Sequence, residues 1–501
     1  MPKSLALMVT FLFLGSTLAS AKIINVPADS STIQSGINGA VNGDTVLVAE
    51  GDYYELINFH GKSIIVASEF LNDNDTTHII NTVIDGNPDT IGIADTLSVI
   101  RFVSGEDTNS VLCGFTVTGG HGTIVDFNSR GRQGGGVFIE NSSPKILNNR
   151  FKDIMDFGLS DFSALCGGEA IFGKNSSAIV EKNKFIPLII GNPACFASGI
   201  AVLFVDGGSP KITDNIWWPG HVTGISLIDC NPASEISQNV LVKIGGDWAI
   251  KLRNTSCQIL SNTIADKPGS AVMMLGGAIG CFDASPKISN NIIVRNSAPL
   301  YESAGIQCEG TSNPEIIYND IWGNEPTDFY GTPAGVGDTA WDTNINGTHY
   351  DSFYNIMCDP LFCDTASNNY FLSDNSPCIN AGEFGHKMGA LGIGCGTSVP
   401  VADQDLDIIK RYSVSQNYPN PFNSSTAIQY TLSKDCWVDI RIFNILGRKV
   451  RTLVDEYEVA GVRIVRWDGR DEEGCEVASG VYLYRLQARD YVQTKKMLLL
   501  K

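Results

Sequence analysis

The chain has 501 residues with 35 basic and 54 acidic side chains, a formal net charge of −19. That length exceeds one ordinary core and implies at least two domains, or an elongated repeat domain with an addition. Hydrophobic residues at 43% and charged residues at 18% exclude a disordered chain. The acidic balance argues against a nucleic-acid partner, whose phosphates call for clustered Lys and Arg. Fifty-one glycines and many asparagines point to tight turns and short strands rather than helices.

Met1-Pro2-Lys3 opens the chain, an apolar run from Leu5 to Leu14 follows, and Ala19-Ser20-Ala21 supplies a small-x-small cleavage pattern. Residues 1–21 therefore read as a secretory signal. The run is short of the ~20 residues that span a bilayer. No later segment is apolar enough either, so no transmembrane segment is expected after signal removal.

Thirteen cysteines cannot all pair with one another. Those inside strand-like runs, such as Cys281 and Cys308, read as small buried hydrophobes. Cys358, Cys363, Cys378 and Cys395 lie in loop-like sequence that admits one or two bridges, with the connectivity open. No Cys/His spacing suggests zinc, and no cofactor or metal is expected. The acidic loop Asn72-Asp73-Asn74-Asp75 could take calcium through hard oxygens, but reads first as a solvated turn.

Residues 30–41 predict a short helix, with Ser31 and Gln34 as a capping box and Ile33, Ile37 and Val41 on one face. A pattern then recurs: an aliphatic residue, two variable residues, Asn, one variable residue, and a large apolar residue. Its asparagines are Asn149, Asn183, Asn215, Asn239, Asn262, Asn291 and Asn319, spaced by 23 to 34 residues. Each repeat combines a Gly-led strand, a polar turn and the Asn-bearing strand. Three short strands per repeat predict the coil of a parallel β-helix. The asparagines are expected to turn inward and stack as an amide ladder, holding the fold and binding nothing.

At this point the chain resembles a known group. Ile24-Asn25-Val26-Pro27-Ala28, Thr32-Ile33-Gln34, Gly43-Asp44-Thr45-Val46 and Gly51-Asp52-Tyr53 are similar to the first coil of pectate-lyase-like right-handed parallel β-helix proteins. Gly114-Phe115-Thr116-Val117-Thr118-Gly119-Gly120 and the Ser-Pro-Lys-Ile turns beginning at Ser143, Ser209 and Ser285 fit as well. The resemblance covers residues 22–396. It implies an all-β fold and leaves activity open, because such folds host lyases, glycosidases, esterases and adhesins.

The last ninety residues resemble a type IX secretion C-terminal sorting domain, an immunoglobulin-like sandwich. The resemblance rests on Gln416-Asn417-Tyr418-Pro419-Asn420-Pro421-Phe422-Asn423, Phe443-Asn444-Ile445-Leu446-Gly447, Trp467-Asp468-Gly469-Arg470-Asp471, Ala478-Ser479-Gly480-Val481-Tyr482, and the ending Lys495-Lys496-Met497-Leu498-Leu499-Leu500-Lys501. It implies that residues 412–501 engage the secretion machinery and deliver the protein outside the cell or to its outer surface. The charge divides likewise. Residues 412–501 hold 13 basic and 11 acidic groups, whereas 22–411 hold 21 and 43. Residues 397–411 read as a linker.

Counting back from each Asn assigns the Gly-led strands a register. It places Phe138, Phe172 and Phe204 outward on three successive coils. Charges flank them in the order Glu140, Lys174, Asp206, Asp229, Arg253, Asp283 and Glu309. With coils about 4.8 Å apart, three rings make an aromatic strip roughly 10 Å long, suited to a polysaccharide or cell-surface glycan. Phe138, Phe172, Phe204, Glu140 and Lys174 are thus the candidate substrate-binding residues. Two plainer readings compete: the inserted loop 153–168 covers the strip, and the charges form a salt-bridge ladder.

Enzyme motifs are sparse. No Asp-Asp pair occurs before the linker, and Gly120-His121-Gly122 stands without the motifs that would make it catalytic. A lyase needs a base and a cation near the substrate carboxylate. Lys251 and Arg253, alternating on one outward strand, are the candidates, with Asp206 and Asp229 as nearby acids. Three functions stay open: a polysaccharide-binding surface protein, a lyase or glycoside hydrolase acting on an acidic glycan, and a structural or adhesive rod.

Overall fold

The computed structural model describes residues 21–87, 98–124, 132–154, 170–186, 200–217, 223–246, 248–269, 276–338, 342–396, 413–414, 417, 420–423, 425–432, 436–458, 461–489 and 491–500. Residues 1–20 of the expected signal and the linker 397–411 lie outside them. Short strands fall into three parallel sheets of eleven, ten and ten strands. This is a right-handed parallel β-helix, followed by antiparallel sheets at the C-terminus. The chain divides into two compact units, Met1–Cys230 and Asn231–Lys501.

One coil of the first unit shows how the repeat works. Val137–Glu140 lies in sheet 1, Lys145–Leu147 in sheet 2 and Arg150–Lys152 in sheet 3. Each pairs in parallel with its counterpart one repeat later: Ile171–Lys174, Ile179–Glu181 and Lys184–Ile186. Ile146 points inward and is fully buried. Two residues, Asn148 and Asn149, turn the corner from sheet 2 to sheet 3. The first is left-handed, with φ of 55° at Asn148, 57° at Lys182 and 56° at Asp214. That conformation costs an L-residue about 1–2 kcal/mol. It also swings the next side chain into the interior, which explains an Asn at a fixed place in each repeat.

Those asparagines stack. The Asn149 amide donates to Asn183 Oδ1 at 3.2 Å, and the Asn183 amide to Asn215 Oδ1 at 3.0 Å. Each backbone N–H at this position bonds the same oxygen, at 2.9 Å in both coils. The large apolar residue two places on also forms a column. Phe151, Phe185 and Trp217 stack with ring centroids 5.2 and 4.6 Å apart.

The helix at the N-terminal end spans Ile33–Gly39. Its cap is Thr32 rather than Ser31, and Ser35 rather than Gln34 completes the box. Gln34 instead reaches sideways and exchanges two bonds with the Asn58 backbone. Glu55 accepts from the Ile33 and Gln34 N–H groups at 2.8 and 2.9 Å, placing a carboxylate at the positive end of the helix. Lys62 Nζ donates to the carbonyls of Ile37, Asn38 and Ala40 at the other end. Ile33 and Ile37 are fully buried as expected, while Val41, past the helix end, is 58% exposed.

In the second unit the ladder runs Asn239, Asn262, Asn291, Asn319 and on to Asn355, with amide–oxygen distances of 2.9–3.0 Å. It stops where Asn355 donates to both carboxylate oxygens of Asp351. A second, shorter ladder links Asn296 to Asn324 and ends on Asp328. Beyond the last coil, Phe362–Asp364, Asn369–Ser373 and Ile393–Cys395 form a small sheet braced by the disulfide Cys363–Cys395.

The C-terminal region has a three-stranded and a four-stranded antiparallel sheet. Val438, Ile440 and Ile442 alternate inward and pack with Ile428, Tyr430, Trp467, Tyr484 and Leu486. Among the described residues no helix is long and apolar enough to cross a membrane.

Candidate functional site

The connections of each coil differ in length. In the coil of Val137–Lys152 two residues separate sheets 2 and 3, whereas eighteen separate Thr118 from Val137 and Lys152 from Ile171. Apart from the helix-bearing stretch between Ser68 and Thr82, which joins sheets 2 and 3, the long segments lead into sheet 1. Its outward face is therefore the surface that loop variation can shape, and loops on a rigid scaffold are where function concentrates.

In the first unit the outward column of sheet 1 reads Arg101, Phe138, Phe172, Leu203, Ser226. Phe138 and Phe172 stack at 5.5 Å with planes 17° apart. They are only 4% and 3% exposed, in a cluster with Leu203, so they do not offer a bare platform. The expected covering loop, 153–168, lies outside the described residues from 155 on.

Phe204 corrects the expected register. It pairs with Gly173 rather than Phe172, points inward and is fully buried. The reason is spatial: a Cβ on Gly173 would lie 2.1 Å from the Phe204 ring, so the missing side chain on one coil makes room for the ring on the next. The strand slips by one residue, and Leu203 takes the outward place.

The same slip moves the charges. Glu140 and Lys174 remain outward and in register. Val205 and Ile228 follow them in that column, where Asp206 was expected. Asp206 and Asp229 sit one residue later, in left-handed turns with φ of 59° and 55°. Neighbouring backbone bonds join them, Gly207 N–H donating to the Asp229 carbonyl at 2.9 Å. The Lys174 ammonium lies 3.8 Å from Asp206, a half-exposed ion pair worth little in water.

The second unit brings other expected residues together. Lys251 pairs with Gly280, Gly280 with Gln307, and Gln307 with Tyr330 along one outward column. Arg253, Phe282 and Glu309 form the next column. Lys251 Nζ and the Arg253 guanidinium lie 5.8 and 5.9 Å from the Phe282 ring centroid. Such contacts contribute about 0.5–2 kcal/mol depending on exposure. Trp248 meets Phe282 edge-on at 5.9 Å and Tyr301 at 5.3 Å. It fits because Gly280 has no side chain; a Cβ there would lie 2.7 Å from the indole. Beside them Gln307 donates to Glu309 at 2.6 Å, and Tyr330 is 44% exposed. Sequence reasoning paired Lys251 with Arg253 on one strand but did not bring Phe282 to them, because the ring lies a whole coil further on.

This arrangement can do two things. The ring offers an apolar plane to the C–H face of a sugar, and the two cations can receive a carboxylate.

Elsewhere the structure adds a titrating group that the repeats did not reveal. Asp320 is fully buried and pushed up to about 7 by desolvation, while Cys378 Sγ and the Cys358 N–H each donate to it at 3.2 Å. Among the described residues no group of three or more His, Cys, Asp or Glu is arranged to hold a metal ion. In the acidic loop, Asp73 and Asp75 accept the N–H groups of Asp75 and Thr77 at 2.8 and 2.9 Å.

Residues 416–500 match the family model described as the secretion system C-terminal sorting domain. No curated protein matches the chain. Among solved structures, dimeric latent PorU from Porphyromonas gingivalis is 21% identical over 19% of this chain and 10% of its own, with a TM-score of 0.16. This chain thus spans about a tenth of the length of PorU. An alginate lyase from Paenibacillus sp. str. FPU-7 is 12% identical, covers 62% of this chain and 99% of its own, and has a TM-score of 0.39. A mutant of the PL6 family alginate lyase AlyGC is 12% identical over 66% of this chain and 55% of its own, with a TM-score of 0.28. At these scores the likenesses carry no inference about activity. A parallel β-helix is here joined to a secretion system C-terminal sorting domain, and the protein is exported to the cell surface or secreted.

Proposed function

We propose that this exported β-helix protein binds an acidic polysaccharide through the outward face of sheet 1 in its second unit. One observation carries the reading: Lys251 and Arg253 flank the Phe282 ring at 5.8 and 5.9 Å. A uronate-rich chain would stack one sugar on the ring and place its carboxylate between the cations. The buried Phe138 and Phe172 supply packing rather than contact, so the ligand face lies away from the strip first expected. The test is retention of the full-length protein on carboxylated and neutral polysaccharides, with Phe282→Ala and Arg253→Ala beside it. Retention only on carboxylated polymers, weakened at least tenfold by either substitution, is the expected result. Equal retention of all three proteins would sink the reading. The same panel, read for unsaturated products and reducing ends, tells binding from cleavage by a lyase or hydrolase. No retention on any polymer would leave the structural or adhesive role.

A further inference from the structure

The interior of sheet 1 in the second unit holds two thiols side by side. Cys281, on Ile279–Phe282, and Cys308, on Ile306–Glu309, are register partners on neighbouring parallel strands. Adjacent strands lie about 4.8 Å apart, inside the ~4.4–6.8 Å Cα separation a disulfide accepts. Both side chains point inward, at 0% and 5% exposure. Both are free thiols in this structure. One coil earlier the same inward position is held by Leu252. Two successive small sulfur side chains forgo the apolar packing that a pair of leucines would supply there. The chain is also exported, and structural disulfides persist outside the cytosol.

We propose that Cys281 and Cys308 are joined by a disulfide in the exported protein, a covalent staple between two successive coils. The bond forms by thiol–disulfide exchange with a disulfide-bearing oxidant. One thiolate attacks the oxidant's disulfide and releases one thiolate of the oxidant. The second protein thiolate then displaces the remaining half. Two protein thiols lose two protons and two electrons, and the oxidant leaves as two thiols. Hydrogen bonding to Cys308 and burial push the Cys281 thiol well above its ordinary range in the closed coil. Little thiolate exists there, so the exchange takes place before the coil closes. Once closed, the bond is shielded from reductant, which makes it a permanent staple and not a switch.

The test uses the full-length protein collected outside the cell, unfolded in iodoacetamide without reductant and digested. The expected result is one linked peptide pair containing Cys281 and Cys308, two hydrogens lighter than the separate peptides, that disappears on reduction. Recovery of both peptides alkylated before reduction would overturn the proposal. Linkage of either residue to Cys257, which lies close enough to influence Cys281, would overturn it too. A Cys308→Ser chain gives a second reading: Cys281 should change from protected to alkylated, and protection that persists counts against the pairing.

Discussion

Replacing Asn291 by Ala tests what holds successive coils together. Asn291 is fully buried. Its amide donates to the Ile259 and Ser289 carbonyls and to Asn319 Oδ1, at 2.9, 3.0 and 2.9 Å. Its Oδ1 accepts the Asn262 backbone N–H at 2.8 Å and the Asn262 amide at 3.0 Å. Alanine removes all five contacts. The Asn262 N–H then has no acceptor on that side, and a buried donor left unmet costs about 1–3 kcal/mol. The remaining four bonds contribute roughly 1 kcal/mol each, so the loss should be about 5–7 kcal/mol. That is a large share of the ~5–15 kcal/mol that holds a typical domain folded. Asn175→Ala is the control. Its exposed amide donates to Asn141 at 2.9 Å, and the strain of an alanine at its left-handed φ of 49° accounts for most of an expected loss of about 1–2 kcal/mol. Hydrogen exchange should show protection falling across Gln258–Leu260 and Lys287–Ser289 in Asn291→Ala, with a lower urea midpoint. If Asn291→Ala costs no more than Asn175→Ala, the ladder is decorative and the reasoning fails.

Three further outcomes follow from buried or paired groups. Burial raises the Asp320 pKa from 3.8 to about 7, so the stability of its neutral form is fully present below about pH 4 and lost as pH rises through 7; Asp320→Asn should flatten a pH dependence of up to about 4 kcal/mol across that window, seen in urea midpoints at pH 4 and 8. His78 lies 2.7 Å from Glu50 and 3.3 Å from Asp73; burial opposes its charge, but these bonds outweigh it and raise the pKa above 6.5. Its stabilising contribution should therefore be complete below pH 6.5 and fade as pH climbs through the raised value, and exchange protection of residues 70–81 should lose this trend in His78→Gln. Gly173→Ala drives a methyl into the Phe204 ring and should cost about 1–3 kcal/mol, with Phe204→Leu restoring part of it; a neutral Gly173→Ala would show that Phe204 does not point inward.

Much of this molecule could be read from its residues, and the misses have physical causes. The Asn ladder was legible because a left-handed corner and an inward amide recur at one place in the coils from Asn149 to Asn319. The ladder's last member, Asn355, was not, since residues 350–356 lack the flanking strand pattern and meet the last coil through isolated backbone bonds, Phe353 with Tyr318 and Ile356 with Asn319 and Ile321. Phe204 was misplaced because Ile200–Val205 is apolar throughout. Alternation cannot choose a register in such a strand, and the choice falls to Gly173 on another coil. The Thr32 cap was missed by one position, since Ser31 and Thr32 offer the same hydroxyl. The Lys251, Arg253 and Phe282 constellation depends on the distance between coils, which no local motif encodes. Of the loop-region cysteines, Cys363 and Cys395 pair while Cys358 and Cys378 gather at Asp320, a division that spacing alone left open.

The amide ladder has a direction, and direction has a consequence for how such a protein can change length. In the second unit each ladder amide from Asn239 to Asn319 donates to the asparagine of the next coil, so each new member needs an acceptor beyond it. A carboxylate, which only accepts when ionised, is the natural terminator, and Asp351 and Asp328 occupy those places. A whole repeat inserted within the stack would receive one bond and pass one on, leaving the count balanced. A repeat appended after Asn355 would have to displace Asp351 and supply a new stop. Duplication and deletion of coils should therefore be tolerated within the stack and resisted at its end. The ladder acts as a one-way template whose final residue, not its length, is under constraint.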